Sequence, residues 1–157
     1  MPISLFIRKI YGRMYQRWSA KLNKPISLIS TKGETKGSKL TSKEIGDLGE
    51  LIAYCYLKST GCKVLYRNYR GPKGGEVDIA AREQDTLIFV EVKTRTNKGF
   101  GRPLDAVDAD KQELIERGAN SWLQLLGSRD VLWRFDVIEV ILTEGVVPEV
   151  VWVKNAF

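Results

Sequence analysis

Two short stretches place acids and an amine at spacings suited to phosphoryl chemistry. In Glu76-Val77-Asp78 two carboxylates lie two residues apart, and in Glu91-Val92-Lys93 a carboxylate and an amine do. If both stretches are β-strands, their period of two puts Glu76 with Asp78, and Glu91 with Lys93, on one face. Asp78 and Glu91 facing the same side would make a hard-oxygen pocket for Mg²⁺ or Mn²⁺, ions that take few protein carboxylates and keep several waters. A metal held there would polarise a phosphoryl oxygen and lower the pKa of a bound water, while the Lys93 ammonium orients that water or stabilises the pentavalent oxyanion. The reaction is hydrolysis of a phosphodiester. On spacing alone a plain structural ion pair between Glu91 and Lys93 at a solvated strand end stays open. The flanking residues bear on that choice, because Ile79-Ala80-Ala81 follows Asp78 and Leu87-Ile88-Phe89-Val90 precedes Glu91. Charges at the end of a buried strand are costly unless they are paired or bind a metal.

Composition narrows the chemistry further. The chain has no histidine, which excludes Ser-His-Asp hydrolysis, papain-like catalysis and zinc sites that need imidazole ligands. Cys55 and Cys62 are the only cysteines. They lack a CxxC spacing and partner ligands, so both are expected as reduced core residues.

The elements that must position these groups can be read from periodicity. Thr41 and Glu44 fit a capping box, and Ile45, Leu48, Ile52, Tyr56 and Leu57 recur at helical spacing until Gly61 supplies a stop. Three β-prone runs follow, Lys63 to Tyr69, Glu76 to Arg82 and Thr86 to Thr94, the last two joined as a hairpin by Glu83-Gln84-Asp85. A second helix is expected from Asp108 to Leu126, then strands from Val131 to Leu142 and Val147 to Val153. Trp122, Trp133 and Trp152 follow the apolar pattern and are expected in the core. The order α-β-β-β-α-β-β predicts an α/β domain with a mixed central sheet flanked by helices.

At 157 residues the chain fits one domain plus an appendage. Residues 1–40 hold nine Lys or Arg against one acid, a net +8, whereas residues 41–157 hold sixteen bases and eighteen acids, a net −2. We therefore divide the chain into a basic N-terminal extension and linker, 1–40, and a domain, 41–157. Within the extension, Ile3, Ile7, Ile10, Met14 and Trp18 fit an amphipathic basic helix, and residues 23–42 read as a linker. A basic tail suggests a polyanion, either nucleic acid or an anionic membrane surface; a solvated tail without a partner is the alternative. No apolar run is long enough to span a bilayer, and the N-terminus lacks a secretory cleavage pattern, so a soluble, cytoplasmic chain is expected.

Asp78, a gap of twelve residues and then Glu91-Val92-Lys93 resembles the PD-(D/E)xK signature of the restriction-endonuclease-like superfamily, with Val77 in the place of the signature proline. Further blocks extend the likeness: Gly46-Asp47-Leu48-Gly49-Glu50-Leu51-Ile52-Ala53, Arg67-Asn68-Tyr69-Arg70, Gly75-Glu76-Val77-Asp78, Phe89-Val90-Glu91-Val92-Lys93-Thr94-Arg95, Arg134-Phe135-Asp136-Val137 and the closing Asn155-Ala156-Phe157. Together they resemble the bacterial YraN-type family, for which endonuclease activity is expected, over about residues 41–157.

The resemblance implies a restriction-endonuclease-like fold and, by similarity to archaeal-type Holliday-junction resolvases, a site formed by Glu50, Asp78, Glu91 and Lys93. Glu50, Asp78 and Glu91 would bind Mg²⁺ or Mn²⁺, with Gly46 and Gly49 letting the first helix approach the sheet. Glu76 is expected to support the site from its edge. Lys111 resembles the family's basic residue at the start of the second helix and would contact a phosphate. Arg67, Arg70, Arg95 and Arg102 would neutralise backbone phosphates; ordinary surface arginines are the alternative. The implied activity is metal-dependent hydrolysis of DNA, branched or damaged DNA included, with no small-molecule substrate. The resolvase likeness implies a homodimer. Two other readings stay open: a nucleic-acid-binding protein on the same fold that cleaves nothing, and a domain anchored by its tail to an anionic membrane.

Overall fold

The computed structural model describes residues 22–31, 36–96, 107–127 and 130–157. The amphipathic helix expected at 3–18, the centre of the linker, and the Phe100-Gly101-Arg102-Pro103 stretch with Arg102 lie outside the described residues.

Helix α1, Ser42–Ser59, starts at the expected capping box: the Glu44 N–H donates to the Thr41 hydroxyl and the Glu44 carboxylate accepts from the Thr41 N–H. It ends before Gly61, whose φ of 91° suits a residue without Cβ. Strands β1, Lys63–Arg70, β2, Glu76–Glu83, and β3, Thr86–Arg95, follow. Helix α2, Ala109–Leu126, is capped by Asp108, which accepts from the Lys111 N–H, and closes on Gly127 at φ 68°. Strands β4, Leu132–Ile141, and β5, Glu149–Val153, complete the order expected from the sequence.

The strands form one sheet in the order β1-β2-β3-β4-β5. β3 and β4 are parallel and every other neighbouring pair is antiparallel, so the sheet is mixed. β3 lies at its centre, and residues 87–92 are all buried, as expected of a strand covered on both faces. On one face α1 packs Ile52, Ala53 and Leu57 against Ile79, Ile88, Val90 and Ile138. On the other, α2 packs Ile115, Ala119 and Leu123 against Val77, Phe89, Phe135 and Val137. This three-layer arrangement is the α/β architecture expected from the sequence, a mixed central sheet flanked by helices.

The described part of the extension is fastened to the domain. Leu22, Ile26 and Leu28 pack on the α1-side core, the Ile26 N–H donates to the Val146 carbonyl at 3.1 Å, and Ile29 bridges Lys39. At the other terminus, Asp136 is fully buried and accepts from Arg134, the Trp152 indole N–H at 2.9 Å and the Asn155 N–H at 2.9 Å. Phe157 stacks on Phe135 with ring centroids 4.9 Å apart. The Arg-Phe-Asp-Val and Asn-Ala-Phe blocks thus bind each other. Cys55 and Cys62 are free and buried as expected. The tryptophan reading needs one correction: Trp133 is 43% exposed, because it stands near the open start of β4, next to exposed Leu132, and packs T-shaped on Phe135.

Candidate functional site

The site forms where β2 and β3 stop pairing. Their ladder runs from Glu83↔Thr86 to Ile79↔Val90. Past that last pair, the N–H of Val92, two residues beyond Val90, donates at 2.8 Å to Oδ2 of Asp78, one residue before Ile79. The strands therefore part with a carboxylate between them, and Glu91 and Lys93 lie directly beyond the fork.

Glu91 is only 3% exposed. Its Oε1 lies 3.0 Å from the Lys93 ammonium and 3.5 Å from that of Lys111, whereas its Oε2 is buried and lacks a hydrogen-bond partner. Burial above all, and then the Asp78 charge, push the Glu91 carboxyl up to about 7 against the pull of Lys111 and Lys93. Burial and Asp78 also raise Glu50, which an Asn68 hydrogen bond and the Arg67 charge partly relieve. Asp78 is thus the common electrostatic neighbour of both glutamates. Glu50 reaches it from α1, on one side of the sheet, and Glu91 from the α2 side.

Three glycines make these approaches possible. A Cβ on Gly49 would lie 1.9 Å from Oγ1 of Thr94 on β3, so α1 can pack this close only without a side chain there. The other glycine expected to serve the same end, Gly46, does not: a Cβ there would meet nothing within 4 Å. A Cβ on Gly75 would lie 2.2 Å from the Gly118 backbone N, and one on Gly118 would lie 2.9 Å from the Glu76 backbone. That backbone contact docks α2 on the start of β2 and brings Lys111 into an ion pair with Glu76. The lysine hydrogen bond holds the Glu76 carboxyl below its usual range. Burial alone would lower Lys111, but contact with Glu76 and the charges of Glu91 and Asp78 outweigh it and raise the ammonium.

All four expected site residues, Glu50, Asp78, Glu91 and Lys93, therefore meet around the fork. Lys111 is a member of the cluster, bound to carboxylates and not standing free for a phosphate. Glu76 anchors it. The arginines behave differently from one another. Arg67 lies over the Tyr54 ring at 5.0 Å beside Glu50, and the charge of exposed Arg70 acts on Glu76. Arg95 is half-buried in an ion pair with Glu139 at 2.6 Å. Gly118 was not singled out in the sequence, and Gly75 and Asn68 stood in the sequence blocks without a role of their own. Asn68 sits at φ 52° within β1 and offers its side chain to Glu50. Asparagine is among the few residues that tolerate this region, which was the available signal.

Among the described residues, no three carboxylate or thiol side chains converge closely enough to enclose an ion by themselves. A hard dication that kept most of its waters could draw its few protein ligands from these carboxylates. One buried carboxylate oxygen is unpartnered, and the surrounding carboxylates raise one another's affinity for positive charge. A cavity of about 400 Å³ opens beside Glu50, walled by Ser42, Ile45 and Gly46 of α1 and by Val92, Thr94 and Thr96.

The fold and site define an α/β chain with a carboxylate and lysine cluster at the fork of a mixed sheet. Residues 49–140 match the family described as Uncharacterised protein family UPF0102. A UPF0102 protein of Geotalea daltonii is 44% identical over 126 residues, covering 80% of this chain and 96% of the relative. One from Caldicellulosiruptor saccharolyticus is 40% identical over 119 residues, covering 75% of this chain and all of the relative. The chain belongs to the UPF0102 family, the YraN-type group that its sequence blocks resemble. No helix among the described residues is long and apolar enough to cross a membrane.

Proposed function

We propose that the chain is a Mg²⁺- or Mn²⁺-dependent nuclease of the cytoplasm that hydrolyses DNA phosphodiester bonds, with branched or damaged DNA as the substrate form. The observation that carries this reading is Glu91: a buried carboxylate with one unpartnered oxygen, next to Asp78 and 3.0 Å from Lys93. Glu91, Asp78 and Glu50 would hold the metal. Bound there, the metal supplies Lewis acidity toward a phosphoryl oxygen and a water of lowered pKa.

The chain's own residues do the rest. Asp78 is oriented by the Val92 N–H, so one oxygen is fixed and the other is left for a ligand. Lys93, with 26% of its side chain exposed, faces solvent beside Glu91 and offers three donors to an attacking water or to the charged phosphoryl oxygens. Lys111, held by Glu76, adds a second positive charge where phosphate charge must be balanced. Arg67 and Arg70 would neutralise flanking phosphates. A homodimer would set two such sites on two strands of a junction.

One observation favours a second reading, a nucleic-acid-binding protein that cleaves nothing: Lys93 and Lys111 already balance Glu91 and Glu76. Nicking of plain and four-way-junction DNA with Mn²⁺ separates the two. Cleavage by wild type that Asp78→Ala and Lys93→Ala abolish supports the nuclease. Equal cleavage by all three proteins refutes the assigned site, and no cleavage together with no calorimetric Mn²⁺ binding leaves the binding protein.

A further inference from the structure

Ser42, Gly46 and Glu50 follow one another at four-residue steps on α1 and line the cavity together. Gly46 has no structural reason to be glycine. It lies in the helix interior, its backbone is not in the positive-φ region, and the space where a Cβ would stand is empty. Glycine in such a position weakens a helix relative to alanine. Gly49, one turn nearer the sheet, shows the contrast, since there a Cβ would collide with Thr94. What the missing side chain of Gly46 does is keep the cavity open.

We propose that this cavity is a subsite for a single unpaired nucleotide of the DNA strand, next to the phosphate that the Glu50, Asp78 and Glu91 cluster addresses. This rests on the nuclease reading and narrows its substrate class. The volume of about 400 Å³ falls in the range of roughly 300–1,000 Å³ typical of small-ligand pockets and cannot admit a duplex. Ile45 and Val92 offer apolar contact to a sugar or base face. The hydroxyls of Ser42, Thr94 and Thr96 each donate and accept, so they serve any base edge or sugar oxygen without selecting one. A nucleotide seated there must be out of its stack, and that costs least at a junction, flap or single-stranded end. The protein should therefore favour unpaired over continuous duplex DNA through this pocket.

The test uses a fluorescently labelled single-stranded oligodeoxynucleotide and its duplex, with Ca²⁺ in place of Mn²⁺, against wild type, Gly46→Ala and Gly46→Leu. Expected are a higher melting temperature for Gly46→Ala and, for Gly46→Leu, single-strand affinity weakened about tenfold, equivalent to about 1.4 kcal/mol, with duplex affinity little changed. In parallel, thymidine 5′-monophosphate should shift the Gly46 and Thr94 amide resonances of the wild type, a readout that needs no variant to fold. Unchanged single-strand affinity in both variants, or silent Gly46 and Thr94 amides, overturns the subsite and leaves the nuclease reading intact. Wild type that binds neither DNA overturns both.

Discussion

The Val92 N–H donates to the Asp78 carboxylate at 2.8 Å, directly beyond the last β2–β3 pair, Ile79↔Val90. A side chain thus takes the position of a ladder partner, and the residue that opens the fork also faces both glutamates. Its two roles can be separated. Asp78→Asn keeps an acceptor and should unfold in urea close to wild type, whereas Asp78→Ala should lose about 1 kcal/mol. Both should abolish Mn²⁺-dependent nicking. Asp78→Asn that cleaves at the wild-type rate would remove Asp78 from the metal site.

Glu91 makes the metal-free protein sensitive to pH. Its carboxyl titrates at about 7 in the folded chain against an ordinary 4.5, so the folded state holds the proton more tightly. The stability this confers is present below about pH 4.5 and is lost as pH rises through 7, a fall of the order of 3 kcal/mol. Chemical denaturation with chelator from pH 4 to 8 should show this slope in wild type and not in Glu91→Gln. Adding Mn²⁺ at pH 8 should restore stability to wild type by mass action and do little for the variant. Parallel pH profiles for the two proteins would refute the assignment.

Lys111 stands 3.5 Å from Glu91, so it and a bound cation would compete for the same carboxylate. Lys111→Gln is therefore expected to bind Mn²⁺ more tightly in calorimetry, by up to about tenfold for a change of roughly 1.4 kcal/mol. The same variant should cleave more slowly, because a positive charge that offsets the carboxylates near the phosphate is gone. Weaker Mn²⁺ binding would show that Lys111 organises the carboxylates instead of opposing the metal.

Gly118 packs against the Glu76 backbone with no room for a methyl group. Backbone cannot yield as a side chain can, so Gly118→Ala should destabilise the domain by about 1–3 kcal/mol. It should also part Lys111 from Glu76. Thermal unfolding and the Mn²⁺ affinity measured above should then change together. A variant as stable as wild type would mean that α2 can shift at no cost.

The elements were legible in the sequence wherever one period dominated. The capping box at Thr41 and Glu44, the apolar run of β3 and Gly127 after α2 each carry a local signal, and each stands where expected. The acidic fork was legible as spacing, but its geometry was not. Period-two alternation placed Glu76 beside Asp78 on one face, whereas Glu76 turns to Lys111 and Asp78 turns into the gap toward Val92. Contacts between distant backbones, such as Gly75 on Gly118, have no periodic signature at all. The same holds for Arg95, whose partner Glu139 lies on another strand and could be found only once β3 and β4 were paired.

Asp136 has a consequence for how the protein is made. Its buried carboxylate needs donors from Trp152 and Asn155, which leave the ribosome after it. At about 5–20 residues per second, the 19 residues from 137 through Asn155 take roughly 1–4 s to synthesise. Until they arrive, Arg134 on the same strand is the partner that balances the Asp136 charge, and the positions later taken by the Trp152 indole and the Asn155 N–H are unfilled. β4 therefore gains its full set of buried hydrogen bonds only when the closing segment folds back onto it, which makes the final residues part of the domain's core and not a trailing end.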